Sequence, residues 1–249
     1  MDVTSTPGNA QARQIGFVNN LIPYQEESVF PASYLKFTDE EQAEIDALLP
    51  LVGSEHIHLD GREATLDENC AIDLGGIAKG FASDKAADIL SRSGADRACA
   101  NLGGNVYVYS REGHDAWNVA IQDPQGKDDY VCILSLTDHF VVTSGGYLRY
   151  FVDGDGNRWT HIIDPSDGFP VENGLLSATV ICENGTYADA LSTALCVMGE
   201  DDAKKFYKNN SGFEIILITD DQRIVVSEGV RDSFTLSNND YSVESLSRR

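Results

Sequence analysis

Asp189 and Thr193 stand four residues apart in the segment YADALSTALCVMG. On a helix that spacing puts both side chains on one face, among Ala188, Ala190, Leu191, Ala194 and Leu195. A carboxylate on so apolar a helix needs a partner, because burying it alone is costly or shifts its pKa. A carboxylate, a hydroxyl and a backbone carbonyl form a donor set suited to Mg²⁺ with retained waters. The other reading of the same residues is an Asp189 near the helix start that faces solvent or bonds orphan N–H groups.

A second set lies in IDLGGIAKGFASDKAADIL, from Ile72 to Leu90. Gly75 and Gly76 allow a sharp bend or a close ligand approach. The helix that follows offers unpaired N–H groups and the Lys79 ammonium to an anion. The order Lys79-Gly80 is neither a Walker A loop nor a G-x-G-x-x-G fingerprint. Gly103 and Gly104 in NLGGNVYV sit at the mouth of a strand, where glycine permits a bulge, a close approach or an ordinary tight turn. His161, in THIIDP, is a candidate general base near neutral pH, against the commoner structural role of a strand histidine. Asp153, Asp155 and Asn157 imitate the start of a calcium loop, but Arg158 stands where that loop needs glycine, so a hairpin turn explains D-G-D-G-N better.

These residues need elements to hold them. TDEEQAEIDALLPLVG predicts a helix with acids in its first turn and Pro50 near its end. HIHLDGREATL predicts a hairpin around Asp60-Gly61. A helix follows from about Ile77 to Ser93, with Gly94 as its stop. Strands read at RACANLGGNVYVYS, WNVAIQDP, twice in VCILSLTDHFVVTSGG, on both sides of the D-G-D-G-N turn, and at LLSATVICENG. YADALSTALCVMG and DDAKKFYKNN read as two helices, and EIILITDDQRIVVSEG as a closing hairpin. Residues 1–14 are polar and predict no element; residues 15–37 carry Pro23 and Pro31 and read as irregular. Hairpin strands outnumber helices without regular βαβ alternation, which predicts an α+β fold with a mostly antiparallel central sheet and flanking helices.

Composition narrows the function classes. The 249 residues carry 40 acidic against 18 basic side chains, a formal net charge of −22. Such a chain disfavours nucleic acid or an anionic membrane surface as its global partner. An anionic ligand would need a local offset: a cation, a helix N-terminus or a placed lysine. Cys70, Cys99, Cys132, Cys182 and Cys196 form no C-x-x-C pair, and most sit in apolar runs, so buried free thiols are expected. No apolar run has the length of a membrane span, and no hydrophobic signal segment or lipobox cysteine reads in the sequence. The compartment is left open.

Taken in order, DLGGIAKGFASDKAADIL, NLGGNVYV, VVTSGGYLRYFVDGDGNRWTHIIDPSDGFPV and YADALSTALCVMG resemble the ApbE family, the FAD:protein FMN transferases, over roughly Leu48 to Glu228. The resemblance implies an α+β fold, Mg²⁺, and FAD as substrate. It implies transfer of FMN through a phosphoester to a threonine or serine of a partner flavoprotein, with AMP released. Acceptors of that kind belong to redox complexes of the Rnf or Nqr type, or carry FMN-binding domains. Residue by residue, Asp73 and Lys79 match positions that contact FAD, and Gly76 matches the position whose carbonyl binds the metal. Asp189 and Thr193 match the side-chain metal ligands, and His161 matches the histidine that activates the acceptor hydroxyl. Gly103, Gly104, Ser144 and Gly145 match backbone approaches to the flavin nucleotide. Residues 1–37 are expected to be a shortened part of the family's FAD-binding region, with Phe17, Tyr24 and Phe30 as candidates to rebuild the pocket, and 38–249 the transferase domain. Hydrolysis of FAD to FMN and AMP, and a non-catalytic FAD-binding module, are the alternatives.

Overall fold

The computed structural model describes residues 4–6, 39–126, 129–147, 149–152, 156 and 158–248. Phe17, Tyr24, Phe30, Asp153, Asp155 and Asn157 lie outside them. The chain divides into two compact units: Met1–Leu74 with Leu148–Val171, and Gly75–Tyr147 with Glu172–Arg249.

In the first unit, α1 (Asp39–Leu48) leads into a 3₁₀ turn at Leu49–Leu51, where Pro50 ends the α-helical bonding. The hairpin β2 (Ile57–Asp60) and β3 (Glu63–Leu66) pairs Asp60 with Glu63 across Gly61 and Arg62, with Gly61 at φ 60°. β4 (Ala71–Asp73) pairs antiparallel with β1 (Thr4–Thr6). That short strand falls in a stretch read as lacking an element: strand pairing uses backbone groups, and Thr4–Thr6 has no side-chain periodicity to announce it. β10 (Tyr150–Val152) and β11 (Arg158–Thr160) form the strand pair expected around D-G-D-G-N.

The second unit is built on a seven-stranded sheet. Its strands are β5 (Arg97–Leu102), β6 (Asn105–Ser110), β9 (His139–Gly145), β12 (Leu175–Cys182), β13 (Glu214–Thr219), β14 (Arg223–Ser227) and β16 (Ser242–Leu246), in the order β16-β14-β13-β12-β9-β6-β5. A smaller sheet joins β7 (Trp117–Gln122), β8 (Tyr130–Leu136) and β15 (Phe234–Leu236) in the order β15-β8-β7. Between the two sheets lie Val108, Ile121, Leu134, Val141, Ile181, Ile216, Ile218 and Val226, all buried in one cluster. Side chains alternate across a strand, so Ile215 and Leu217 occupy the opposite face of β13 and are equally buried. That double burial explains the continuous apolar run EIILI.

Helices cover the other face of the large sheet: α2 (Ala78–Arg92) and α3 (Gly185–Asn209). Two helices were expected where α3 lies, and the backbone supports that division. Gly199 has φ 74°, outside the helical region, and Asn173 Nδ2 donates to the carbonyls of Cys196 and Val197 at 2.9 and 3.3 Å. Glycine adopts this conformation without penalty, and the asparagine satisfies carbonyls that the break releases. The α+β expectation holds, with one refinement: β14 and β16 pair in parallel, so the sheet is mixed at that edge. None of the five cysteines is in a disulfide; Cys132, Cys182 and Cys196 are buried, Cys70 is half-buried and Cys99 exposed. Among the described residues no helix is long and apolar enough to cross a membrane.

Candidate active site

The residue at the N-cap of α2 is Ile77, which has no side-chain acceptor for the orphan amides of the first turn. The acceptor comes from α3 instead: Gly80 N–H donates to Asp189 Oδ2 at 2.7 Å. The exchange is mutual. Asp84 on α2 accepts from Gly185 N–H at 2.7 Å and Thr186 N–H at 2.9 Å, the first two amides of α3, and from the Thr186 hydroxyl at 2.5 Å. Asn184 caps the third, accepting from Tyr187 N–H at 2.7 Å. Each carboxylate lies at the positive end of the other helix, where negative charge is favoured.

Glycine makes this approach possible. A Cβ on Gly80 would lie 2.3 Å from the Gly185 carbonyl oxygen and 2.7 Å from Asp189 Cβ, and one on Gly185 would strike the Phe140 ring at 2.7 Å. The backbones therefore meet where side chains would otherwise separate them.

Asp189 is 3% exposed, the most buried carboxylate of the site. Burial pushes its carboxyl above the ordinary value, opposed by the Gly80 N–H, the Lys79 charge and the Asn105 amide. Lys79 Nζ stands 3.9 Å from Asp189 Oδ1. One turn further on, Thr193 Oγ1 lies 2.9 Å from Ser144 Oγ, which is also 2.8 Å from Ser192 Oγ. The Ser192 hydroxyl donates to the Asp189 carbonyl at 3.0 Å. This row of hydroxyls ties the end of β9 to α3. Gly76 precedes the N-cap Ile77, whose carbonyl accepts the first helical bond from Phe81 N–H at 3.0 Å, so the Gly76 carbonyl stands outside the helical ladder.

Asn105 was not anticipated. It follows the Gly103-Gly104 turn, is fully buried, and neither Oδ1 nor Nδ2 has a hydrogen-bond partner among the described residues. Its amide is near enough to favour the Asp189 carboxylate without bonding it. A buried amide left in this way costs roughly 1–3 kcal/mol. Its sequence signal was a polar residue opening the otherwise apolar NVYVY strand. Asp84 was missed too, since only tertiary contact turns a mid-helix aspartate into a cap.

The structure thus brings Lys79, Asp189, Thr193 and Ser144 together in the second unit. Gly103 joins them, since a Cβ there would lie 3.9 Å from Lys79 Cδ. Gly103 and Gly104 have φ 62° and 90° between the paired Leu102 and Asn105, which a two-residue type I′ turn requires. At Gly145 a Cβ would meet the Tyr147 ring at 2.7 Å and the Leu176 carbonyl at 2.8 Å. Asp73 and His161 belong to the first unit. Asp73 ends β4, opposite Thr4. His161 follows β11, and its Nδ1 lies 3.0 Å from the Arg149 carbonyl. A carbonyl only accepts, so the neutral ring carries its proton on Nδ1 and its basic lone pair on Nε2.

Among the described residues, no group of three or more His, Cys, Asp or Glu side chains is placed to hold a metal. A cation would have to be held by a mixed oxygen set instead. The buried Asp189 carboxylate, the Thr193 hydroxyl and the Gly76 carbonyl are the kinds of donor a hard, oxygen-preferring ion takes, and the orphaned Asn105 amide beside Asp189 fits a ligand shell.

Comparison with known proteins identifies the family. Residues 25–217 match the ApbE family model. The FAD:protein FMN transferase of Treponema pallidum (strain Nichols) is 37% identical over 171 residues, 65% of this chain and 47% of that protein. That of Klebsiella pneumoniae (strain 342) is 33% identical over 208 residues, 82% of this chain and 64% of its own. The chain thus spans about half to two thirds of the length of these relatives. Among solved structures, the ApbE protein of Thermotoga maritima MSB8 superposes with a TM-score of 0.73 at 31% identity, covering 92% of this chain and 71% of that one. The apo flavinyl transferase ApbE of Pseudomonas stutzeri gives 0.64 at 26% identity, covering 86% and 62%. With the family match extending over most of its length and a related fold beneath it, the chain belongs to the ApbE family.

Proposed function

We propose that this chain transfers FMN from FAD to a threonine or serine hydroxyl of a partner flavoprotein, in a Mg²⁺-dependent reaction that releases AMP. The observation that carries the reading is the Gly80–Asp189 cap. It buries a carboxylate beside Lys79, one helical turn from Thr193. The names of the relatives support the same activity.

Asp189, Thr193 and the Gly76 carbonyl would hold the cation. When bound, such an ion neutralises charge developing on pyrophosphate oxygens. Asp73 and Lys79 contact FAD, and the backbone at Gly103, Gly104, Ser144 and Gly145 approaches the flavin nucleotide. Lys79 adds positive charge, which a chain of net charge −22 must supply locally to an anionic substrate.

The acceptor hydroxyl oxygen attacks the phosphorus nearer the flavin. The new phosphoester bond forms as the bond from that phosphorus to the bridging oxygen breaks, and AMP departs with that oxygen. His161 takes the hydroxyl proton at Nε2, a contribution of about 10²–10⁴-fold. Its Nδ1–H, donated to the Arg149 carbonyl, keeps the lone pair on the correct nitrogen. The acceptor class is a flavoprotein of an Rnf- or Nqr-type redox complex, or one with an FMN-binding domain.

The test is incubation with FAD, Mg²⁺ and a flavin-acceptor domain, followed by in-gel flavin fluorescence after denaturation. Covalent flavin is expected, absent with a chelator and with Asp189→Ala. If free FMN and AMP appear without covalent flavin, the activity is hydrolysis. If FAD is recovered intact while another transferase succeeds in parallel, the chain is a binding module.

A further inference from the structure

Asn105 lies on the sheet face that α3 covers, and strand register sets its position there. It pairs with Val142 on β9; two residues either side on β9 are Phe140 and Ser144. All three β9 residues share a face, because side chains alternate along a strand. Phe140 lies under the start of α3, where a Gly185 Cβ would touch its ring. Ser144 lies under Ser192 and Thr193, bonded to both. From Phe140 to Ser144 the strand advances about 13 Å. From Gly185 to Thr193 the helix advances about 12 Å. The two elements run in step, so the midpoint of one meets the midpoint of the other: Asn105 and Val142 lie beneath Asp189. On the next residue of that face of β6, Tyr107 stacks on Phe140 with ring centroids 4.6 Å apart.

An amide there with both ends unpaired among the described residues is unusual, because buried polar groups are nearly always satisfied. We propose that Asn105 is a ligand-positioning residue whose amide is reserved for the shell of the bound cation and its diphosphate. This rests on the metal reading of Asp189 given above. An amide presents one acceptor and two donors side by side. Water held on a cation donates to the first, and a phosphoryl oxygen accepts from the second. Asp189, Lys79 and Asn105 then divide the work: carboxylate for the ion, ammonium for the anion, amide for the orientation of both.

The probe is Mn²⁺ titrated in the presence of saturating FAD, read by the electron paramagnetic resonance of free Mn²⁺. Asn105→Ala removes both polar atoms. Asn105→Leu, measured beside it, fills the volume without them, so at least one variant is free of a void. Affinity for Mn²⁺ is expected to fall about 10–100-fold in the folded variants, as for other residues that support metal ligands. The rise in Tm brought by Mn²⁺ and FAD should shrink with it. A folded variant whose Kd for Mn²⁺ changes less than threefold overturns the proposal. Asp189→Asn separates the two possible failures. If it also binds Mn²⁺ like the unaltered chain, the metal reading itself has failed. If it loses Mn²⁺ while the Asn105 variants keep it, only the role of Asn105 has.

Discussion

Gly80 and Asp189, 109 residues apart in sequence, are joined by a 2.7 Å hydrogen bond that caps α2 from outside itself. Asp84 returns the service to α3 through Gly185 and Thr186. The bonds that hold the two helices together are thus the bonds that position the candidate metal-binding carboxylate.

Gly80→Ala should be destabilising although alanine is the better helix former by about 1 kcal/mol. Its methyl would stand 2.3 Å from the Gly185 carbonyl, a backbone atom that cannot rotate away. A net loss of roughly 1–3 kcal/mol is expected by thermal or urea unfolding, with loss of flavin transfer. A variant as stable as the parent would show that the helices do not pack this closely.

Asp84→Asn keeps the shape of the cap and removes its charge. Three donors then compete for one amide oxygen, and stability should fall by about 1–2 kcal/mol. Activity should fall with it, since α3 carries Asp189 and Thr193. Unchanged stability in calorimetry would exclude Asp84 as the tertiary cap.

His161→Gln should leave the melting temperature nearly unchanged and slow flavin transfer about 10²–10⁴-fold. The decisive measurement is single-turnover kinetics with FAD saturating. A slowing confined to FAD affinity, with an unaltered maximal rate, would remove His161 from proton transfer.

Glu200 supplies a pH test away from the site. Arg223 holds both its carboxylate oxygens, at 2.7 and 2.6 Å, and Lys204 lies 2.6 Å from Oε1. The hydrogen bonds from Arg223, opposed by burial and aided by Lys204, lower its pKa from 4.5 to about 2. The folded value is the lower one, so the unfolded chain takes up the proton first as pH falls. The stabilisation is present above pH 4.5 and is lost as pH drops toward 2. Allowing for solvent at this partly open site, it amounts to roughly 2–3 kcal/mol. The stability gap between the parent chain and Glu200→Gln should therefore close between those pH values in urea titrations. A gap that persists at the acid end would refute the ion-pair account.

Local pattern made much of the fold legible. The hairpin at Asp60-Gly61, the helix ended by Gly94 and the break at Gly199 are each written in a few adjacent residues whose backbone preferences leave little choice. β15 and β16 were not legible: SVESL has no strong alternation, and its place beside β14 depends on pairing with a strand brought alongside by the fold. In the site, Asp189 and Thr193 stood out because a helix of alanines and leucines makes polar residues conspicuous. Asn105 and Asp84 did not, because a lone amide or aspartate acquires its meaning only from what it faces.

The order of side chains along the chain determined most element types, the net acidic charge, and the candidate chemistry of Asp189, Thr193, Lys79 and His161, since these follow from composition, periodicity and charge within short windows. Tertiary structure decided which amide Asp189 would accept, that Asp84 would answer it, and that Asn105 would be buried without a hydrogen-bond partner among the described residues. The physical reason is range. Helix and strand preferences act over a few residues, whereas the burial of a polar atom and the identity of its hydrogen-bond partner are set by segments a hundred residues apart.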